Sequence, residues 1–207
     1  MWYCLNIQMC VLLVLFSTAM VSIWIVGDSY VRRGEQRALE TMGNNLGVDA
    51  VTYIHWFGWG GLRWRNLIPF LHQALQGRKV PDILLIHCGG NDLGDISGVK
   101  LVAAMKEDLH HLHLRFPSMK ILFSALTQRR RWKADANPGK IDKARRFVNS
   151  IMATYVDTLG GTFVDHPHIR FDTPGLFLYD EVHLSNRGND IFLNSFAVSI
   201  NAQLHQQ

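Results

Sequence analysis

The stretch SIWIVGDS, residues 22–29, places a short apolar run directly before a glycine turn and a serine. A run of this length that ends at a glycine is typical of a buried β-strand. The stretch PDILLIHC, residues 81–88, has the same form and is followed by GGND at residues 89–92. Its apolar residues do not alternate with polar ones, which indicates a strand covered on both faces, as in a parallel sheet.

Helical patterns separate the predicted strands along the chain. We predict strands at residues 22–26, 48–57, 81–88, 120–126 and 162–165, and helices at residues 30–42, 62–76, 141–155 and 185–204. A further helix begins after Ser97, where apolar residues recur at spacings of four and three from Leu101 to Phe116. Strands that alternate with helices favour right-handed crossovers. The predicted fold class is therefore α/β, a three-layer α/β/α sandwich around a five-stranded parallel sheet.

Length and composition agree with one packed domain. The chain has 207 residues, of which 48% are apolar and 18% are charged. These values exclude a disordered chain and a collagen-like fibre. Three cysteines do not make a disulfide framework in a chain of this length. We predict a single domain over residues 22–207.

Residues 1–21 form an apolar extension in front of the first predicted strand. The first 27 residues carry no charged side chain. Residues 1–19 have the apolar core of a signal peptide but lack its positively charged start, so a signal, an anchor and a non-targeting extension all stay open. The chain has no Asn-X-Ser/Thr sequon, which weighs against secretion. We favour an intracellular protein, or a secreted or membrane-associated one if residues 1–19 act as a signal.

Polar motifs follow the predicted strands at their carboxyl ends, the edge where parallel sheets bind ligands. Ser29 follows the first strand, GWGG (58–61) the second, GGND the third, and DEVH (180–183) lies in the loop after the fifth. A serine with a histidine and a carboxylate is the set required for nucleophilic acyl transfer. We predict Ser29 as the nucleophile, His183 as its base and Asp180 as the group that orients His183.

The same loops contain donors for an oxyanion, which is stabilised by preorganised N–H groups. The candidates are the Ser29 N–H, the Gly61 N–H and the side-chain amide of Asn91. Glycine allows a ligand to approach the backbone closely, and an asparagine amide donates without carrying a charge. No metal site is predicted, because the histidines at residues 110–113 and 166–168 lack further ligands at zinc spacing.

A basic segment follows the fourth predicted strand. Residues 129–146 hold eight cations against two carboxylates, a net charge of +6. Arg129, Arg130 and Arg131 stand at its start, on the predicted active-site side of the sheet. A solvated surface, a contact with anionic lipid or nucleic acid, and a site for an anionic substrate head group all fit this charge.

The motifs together resemble those of the SGNH/GDSL hydrolases over about residues 22–204. GDS, GWGG before a Trp-Arg pair, GGND and DEVHLS are similar in order and spacing to the catalytic subunits of the intracellular platelet-activating-factor acetylhydrolases. The runs IWIVGDSYVRRGEQRA (23–38) and YDEVHLSNRGNDIF (179–192) resemble esterase domains of vertebrate LINE-type retrotransposon proteins. Leu62 and Glu181 depart from the family pattern, and neither departure removes a catalytic atom.

This resemblance implies a flavodoxin-like sheet with strand order 2-1-3-4-5 and a serine esterase that uses no metal or cofactor. It implies that a Ser29–His183–Asp180 triad hydrolyses carboxylic esters, with acetyl preferred, and that Ser29, Gly61 and Asn91 form the oxyanion hole. The expected partner is a small-molecule or lipid ester. The alternative is a binding module of a retroelement-type protein that contacts lipid or nucleic acid through the basic loop.

Overall fold

A computed structural model describes residues 20–48, 51–132 and 137–205. The predictions made for residues 1–19 lie outside these ranges. The described elements are β1 (Val21–Gly27), α1 (Ser29–Thr41), β2 (Thr52–Gly58), a single 3₁₀ turn (Trp64–Asn66), α2 (Leu67–Leu75), β3 (Ile83–His87), α3 (Gly98–Arg115), β4 (Lys120–Ser124), α4 (Pro138–Thr158), β5 (Thr162–Val164) and α5 (Asn186–Leu204). No helix in the described ranges is both long enough and apolar enough to cross a membrane.

The five strands form one sheet in the order β2-β1-β3-β4-β5, and every pair of neighbours is parallel. This confirms the predicted three-layer α/β/α fold and the strand order implied by the family resemblance. Gly27 at the end of β1 pairs with Gly58 of β2 and with His87 of β3. The carboxyl ends of these three strands are therefore level, and the loops that follow them start side by side.

Two apolar layers cover the sheet, one on each face. In β3 the side chains alternate between the layers: Leu84 and Ile86 pack toward α2, α3 and α4, whereas Ile83 and Leu85 pack toward α1 and α5. All five residues of β3 are buried. This confirms the prediction of a strand covered on both faces and explains why its apolar residues do not alternate with polar ones.

The predicted helix at residues 62–76 is wrong in its first turn. The chain forms a 3₁₀ turn at Trp64–Asn66, and the α-helix begins only at Leu67. Pro69 is the third residue of this helix. Proline is tolerated in a first turn, but deeper in a helix it lacks a donor and its ring clashes with the carbonyl four residues earlier. An α-helix starting at residue 62 would place Pro69 in that position.

Candidate active site

Ser29 is the first residue of α1, directly after β1. Asp28 caps the helix, and its Oδ1 accepts a hydrogen bond from the Tyr30 N–H at 2.9 Å. The Ser29 N–H has no acceptor among the described residues, as expected for a donor in a first helical turn. The Ser29 side chain thus stands at the end of a buried strand beside a free backbone donor.

His183 and Asp180 lie within hydrogen-bond reach of each other and of Ser29. The Nε2 of His183 is 3.0 Å from the Ser29 Oγ, and its Nδ1 is 2.6 Å from the Asp180 Oδ2. Burial alone would raise the pKa of Asp180, but hydrogen bonds from the His183 ring and from the backbone of His183 and Val182 lower it to about 2. An ionised carboxylate only accepts, so Nδ1 carries the proton and Nε2 is left to accept from the Ser29 hydroxyl.

The turn that carries His183 contains a residue in the left-handed region. Glu181 has φ +60°, a conformation that costs a non-glycine residue roughly 1–2 kcal/mol. Its carbonyl accepts hydrogen bonds from the Arg130 N–H at 3.1 Å and the Arg131 N–H at 3.0 Å. The turn lets Asp180 Oδ1 accept from both the Val182 and the His183 N–H, each at 2.9 Å. The loop after β4 therefore helps to hold Glu181 in a conformation that aims His183 at Ser29.

Tyr30 links the serine helix to the histidine loop. Its side chain is buried, and its hydroxyl donates to the Val182 carbonyl at 2.5 Å. Its ring lies 6.3 Å from the His183 ring between centroids. The residue next to Ser29 thus positions the residue next to His183, although 152 residues separate Tyr30 from Val182.

Gly61 and Asn91 lie in the loops after β2 and β3. Gly61 has φ +74°, and space for a side chain is open around its Cα. Its N–H has no acceptor among the described residues. Asn91 connects the loops, because its Nδ2 donates to the Leu62 carbonyl at 3.0 Å and to the Asp28 Oδ2 at 3.2 Å. The structure thus brings the neighbourhoods of Ser29, Gly61 and Asn91 together.

A cavity of about 420 Å³ opens beside His183. Asn91 forms part of its wall, and Arg129, Arg131 and Trp132 from the loop after β4 form another part. Its volume lies in the range of small-molecule sites. A second cavity of about 340 Å³ lies next to Gly61 and is lined by a mixture of aromatic, apolar and amide side chains: Trp59, Leu62, Asn66, Pro69, Phe70 and Gln73.

The three arginines after β4 have different environments. The Arg129 side chain is only 9% exposed and lies 3.8 Å from Asp28. Arg130 donates from Nε to the Phe171 carbonyl at 2.8 Å and from Nη2 to the Thr173 carbonyl at 3.0 Å. Arg131 is exposed at the cavity. Arg129 and Arg130 therefore both have partners in the structure, although the Arg130 side chain is exposed like that of Arg131.

A buried polar chain lies beneath Tyr30. The Ser124 Oγ is 2.8 Å from the His87 Nδ1 and 2.8 Å from the His166 Nε2. Burial lowers the pKa of both imidazoles, that of His166 to about 3. Both rings are therefore neutral near pH 7, and the hydroxyl donates to one ring and accepts from the other. His168 is exposed instead, and no group of three metal-ligating side chains occurs in the described part of the chain.

The sequence interpretation missed the residues that hold this site together. Tyr30, Asp28 and Glu181 stand next to predicted site residues, but nothing in a single sequence distinguishes them from ordinary helix and turn residues. Their partners are far away in the chain, as the Tyr30 hydroxyl and the Val182 carbonyl illustrate. Adjacency to Ser29 and His183 was the only available signal.

Comparisons with known proteins extend over most of the chain. The model of the GDSL-like lipase/acylhydrolase family matches residues 25–191. The search of curated proteins finds no match.

Solved structures with the same fold come from several bacteria. A GDSL-like lipase of Bacteroides thetaiotaomicron is 12% identical, with 88% of each chain covered and a TM-score of 0.71. The lipase/acylhydrolase of Enterococcus faecalis is 18% identical, with 89% of this chain and 97% of that chain covered and a TM-score of 0.64. A Streptococcus pneumonia structure assigned as a platelet activating factor is 16% identical, with 87% of this chain and 84% of that chain covered and a TM-score of 0.66.

Proposed function

The chain belongs to the GDSL-like lipase/acylhydrolase family, and we propose that it hydrolyses carboxylic esters with Ser29 as its nucleophile. The observation that carries this proposal is the continuous chain of hydrogen bonds from Ser29 Oγ to His183 at 3.0 Å and from His183 to Asp180 at 2.6 Å. A serine hydroxyl is a weak nucleophile until a base accepts its proton, and this geometry places the base.

The reaction proceeds through an acyl-enzyme. The Ser29 Oγ attacks the ester carbonyl while His183 Nε2 takes its proton. His183 then passes this proton to the departing alcohol, and the carbonyl carbon stays bonded to Ser29. A water molecule attacks the acyl-enzyme with His183 again as the base, which releases the carboxylic acid and restores Ser29. Asp180 keeps the ring in the required tautomer and stabilises the imidazolium that forms in each half-reaction.

The oxyanion of each tetrahedral intermediate lies between the Ser29 N–H, the Gly61 N–H and the Asn91 amide. Two observations support this assignment. The Ser29 and Gly61 N–H groups have no acceptors among the described residues, and Asn91 contacts the neighbours of both through Asp28 and Leu62. The two free backbone donors, held at the site by the fold, stabilise developing charge without reorganisation.

The leaving alcohol occupies the cavity beside His183, because His183 Nε2 has to reach the departing oxygen. This cavity and the one next to Gly61 hold about 420 and 340 Å³, enough for a small ester. The family resemblance favours short acyl groups such as acetyl. A small-molecule or lipid ester is therefore the proposed substrate class.

The test uses the full chain, p-nitrophenyl acetate and p-nitrophenyl butyrate. Ser29→Ala should lower kcat by about four to six orders of magnitude, because the nucleophile is removed and only binding and oxyanion stabilisation remain. Ser150→Ala on the exposed face of α4 is the matched control and should leave turnover unchanged. A fluorophosphonate probe should label Ser29 in the wild-type protein, located by peptide mass spectrometry. Undiminished turnover in Ser29→Ala would contradict the mechanism.

The alternative of a binding module for lipid or nucleic acid has weaker support. The Arg129 guanidinium is nearly buried and the Arg130 guanidinium donates to two backbone carbonyls, which leaves Arg131 and the exposed cations of α4, Lys140, Lys143 and Arg146, for a polyanion. Neutralising Lys140, Lys143 and Arg146 together would test this contact with anionic vesicles and RNA while esterase turnover is followed. Binding that depends on them would add a second role, and binding that does not would reject it.

A further inference from the structure

We propose that Arg129 is a positioning residue of the oxyanion hole: it orients the Asn91 amide and neutralises Asp28, so that Asn91 can turn an N–H from Asp28 to the oxyanion. The inference rests on the proposed function, because it assigns Asn91 as an oxyanion donor. This role explains why Arg129, which the sequence presents as one of three consecutive cations in a basic segment, is largely buried beside the candidate triad.

Both hydrogens of the Asn91 amide have acceptors in the structure. Nδ2 donates to the Leu62 carbonyl at 3.0 Å and to the Asp28 Oδ2 at 3.2 Å. An –NH₂ group has two hydrogens, so a third acceptor gains a full hydrogen bond only when one of these is given up. The longer of the two contacts is the one to Asp28. Asn91 is therefore an effective oxyanion donor only if Asp28 releases its N–H.

Asp28 competes with the oxyanion for the Asn91 N–H, and it competes strongly unless its negative charge is balanced. A carboxylate accepts more strongly than a neutral carbonyl, so an uncompensated Asp28 would retain the Asn91 N–H against a developing oxyanion. Asp28 is fully buried, and its remaining oxygen accepts from the Tyr30 N–H. The Arg129 Nη2 lies 3.8 Å from the same Asp28 Oδ2 that Asn91 contacts. Arg129 thus supplies the opposite charge at the atom where the competition occurs.

Arg129 also determines which way the Asn91 amide faces. Its Nη1 donates to the Asn91 Oδ1 at 3.3 Å. A guanidinium group only donates, so it selects the amide orientation with the oxygen toward Arg129 and Nδ2 toward Asp28 and Leu62. The planar fork reaches Asp28 and Asn91 together, which a lysine ammonium does with less directional control.

The fold is built to hold this guanidinium group in place. The Arg129 guanidinium lies over the ring of Tyr30 and over that of Trp132, with its Cζ 5.4 Å from each ring centroid. Gly90 provides the space, because a Cβ at that position would stand 2.7 Å from the Arg129 Nη2. These contacts come from α1, the loop after β3 and the loop after β4, so the position of Arg129 is set from three sides.

Four variants test the role of Arg129 in the full chain, with p-nitrophenyl acetate as the substrate. Arg129→Gln should lower kcat and kcat/KM together by about 10- to 100-fold, with KM changed by less than about threefold, since the lost interaction acts only in the transition state. Adding Asp28→Asn should recover about tenfold, because the competing charge is removed while asparagine still caps α1. Arg129→Lys should fall between Arg129→Gln and the wild type. Arg146→Gln, with a side chain 67% exposed on α4, is the matched control and should keep full activity.

Asp28→Asn also removes a buried charge that Arg129→Gln leaves unpaired, so it can recover stability as well as activity. Urea unfolding of each variant therefore separates positioning from a merely structural role, because a recovery of kcat without a matching recovery of unfolding free energy requires an effect on the oxyanion hole. Circular dichroism verifies that each variant folds. If Arg129→Gln does not fold, Arg129→Lys still tests the inference. A kcat of Arg129→Gln within twofold of the wild type, a change in KM alone, or no recovery on adding Asp28→Asn would each overturn the inference. Ser29→Ala in the same assay distinguishes this failure from failure of the esterase mechanism itself.

Discussion

Replacing Tyr30 by phenylalanine tests whether one hydroxyl holds the histidine loop on the serine helix. The substitution keeps the ring, which packs against His87 and Phe192 at centroid distances of 5.4 and 5.8 Å. It removes the hydroxyl that donates to the Val182 carbonyl and that also interacts with the side chains of Thr127 and Arg129. Burial raises the pKa of Tyr30, so the hydroxyl keeps its proton across the neutral range in the wild-type protein.

The expected loss of stability follows from the partly buried carbonyl that remains. A buried acceptor left without its donor costs about 1–3 kcal/mol, and partial access of water to Val182 favours the lower end. For a domain of this size, 1 kcal/mol corresponds to a shift of roughly 2–4 °C in Tm. We therefore expect Tyr30→Phe to unfold about 2–6 °C below the wild type.

The kcat of Tyr30→Phe should fall further than its modest loss of stability would suggest. Val182 precedes His183, whose Nε2 lies 3.0 Å from the Ser29 Oγ. A displacement of about 1 Å at a reacting group costs up to roughly 100-fold in rate, so a kcat lower by about 10- to 100-fold is expected. Stability is measured by urea and thermal unfolding, and kcat by hydrolysis of p-nitrophenyl acetate.

Tyr155→Phe is the matched control for this experiment. The Tyr155 hydroxyl donates to the Lys106 carbonyl at 3.0 Å, between α4 and α3 and away from the triad. Its removal should cost a similar amount of stability without a change in kcat. If Tyr30→Phe and Tyr155→Phe lose equal stability and both keep full kcat, the link from Tyr30 to His183 does not position the base.

Three further predictions concern the triad, the strained turn and the buried histidines. Asp180→Asn should lower kcat by about 10⁴-fold because it disfavours the required tautomer of the His183 ring. Since the pKa of Asp180 is about 2, protonation of this carboxylate should cause no loss of wild-type activity above pH 4. Kinetics from pH 4 to 9 check both statements. Glu181→Val should be less stable in urea than Glu181→Gly by about 1–2 kcal/mol, because φ +60° is costly for a β-branched residue; equal stability would contradict the strain. Burial lowers the pKa of His166 to about 3, whereas an unfolded histidine titrates near 6.5. Between these two pH values the unfolded state binds a proton that the folded state does not, so the free energy of unfolding falls as the pH drops from about 6.5 to about 3. His166→Phe should reduce the slope of unfolding free energy against pH by up to about 1.4 kcal/mol per pH unit, and an unchanged slope in urea titrations at pH 4–6 would reject this assignment.

The fold could be predicted from the sequence because its signals are local. The buried strand β3 and the helix that begins after Ser97 were predicted from the sequence and occur in the structure, and α5 begins at Asn186, one residue after the predicted start. Each of these features depends on residues within one helical turn or one strand, so residues adjacent in the sequence are enough to predict it. Where a local rule was overlooked, at Pro69, the predicted helix start was wrong.

The members of the candidate site could be named for a related reason. Parallel strands place their carboxyl ends at one edge, so motifs that follow strands were expected to meet there, and Ser29 lies within hydrogen-bond reach of His183 across 154 residues. This argument identifies which loops come together. It does not orient any side chain within them.

Tertiary structure alone decided how those side chains are held. The sequence presents Arg129, Arg130 and Arg131 as three equivalent cations. The structure instead buries most of the Arg129 side chain beside Asp28, and of the two exposed arginines it bonds Arg130 to two carbonyls and places Arg131 at the cavity. Burial and hydrogen-bond partners depend on the relative placement of loops from β1, β3 and β4, which is set by sheet register and packing. Backbone periodicity is a property of neighbouring residues, whereas the environment of a side chain belongs to residues far apart in the chain, and only the folded structure brings those together.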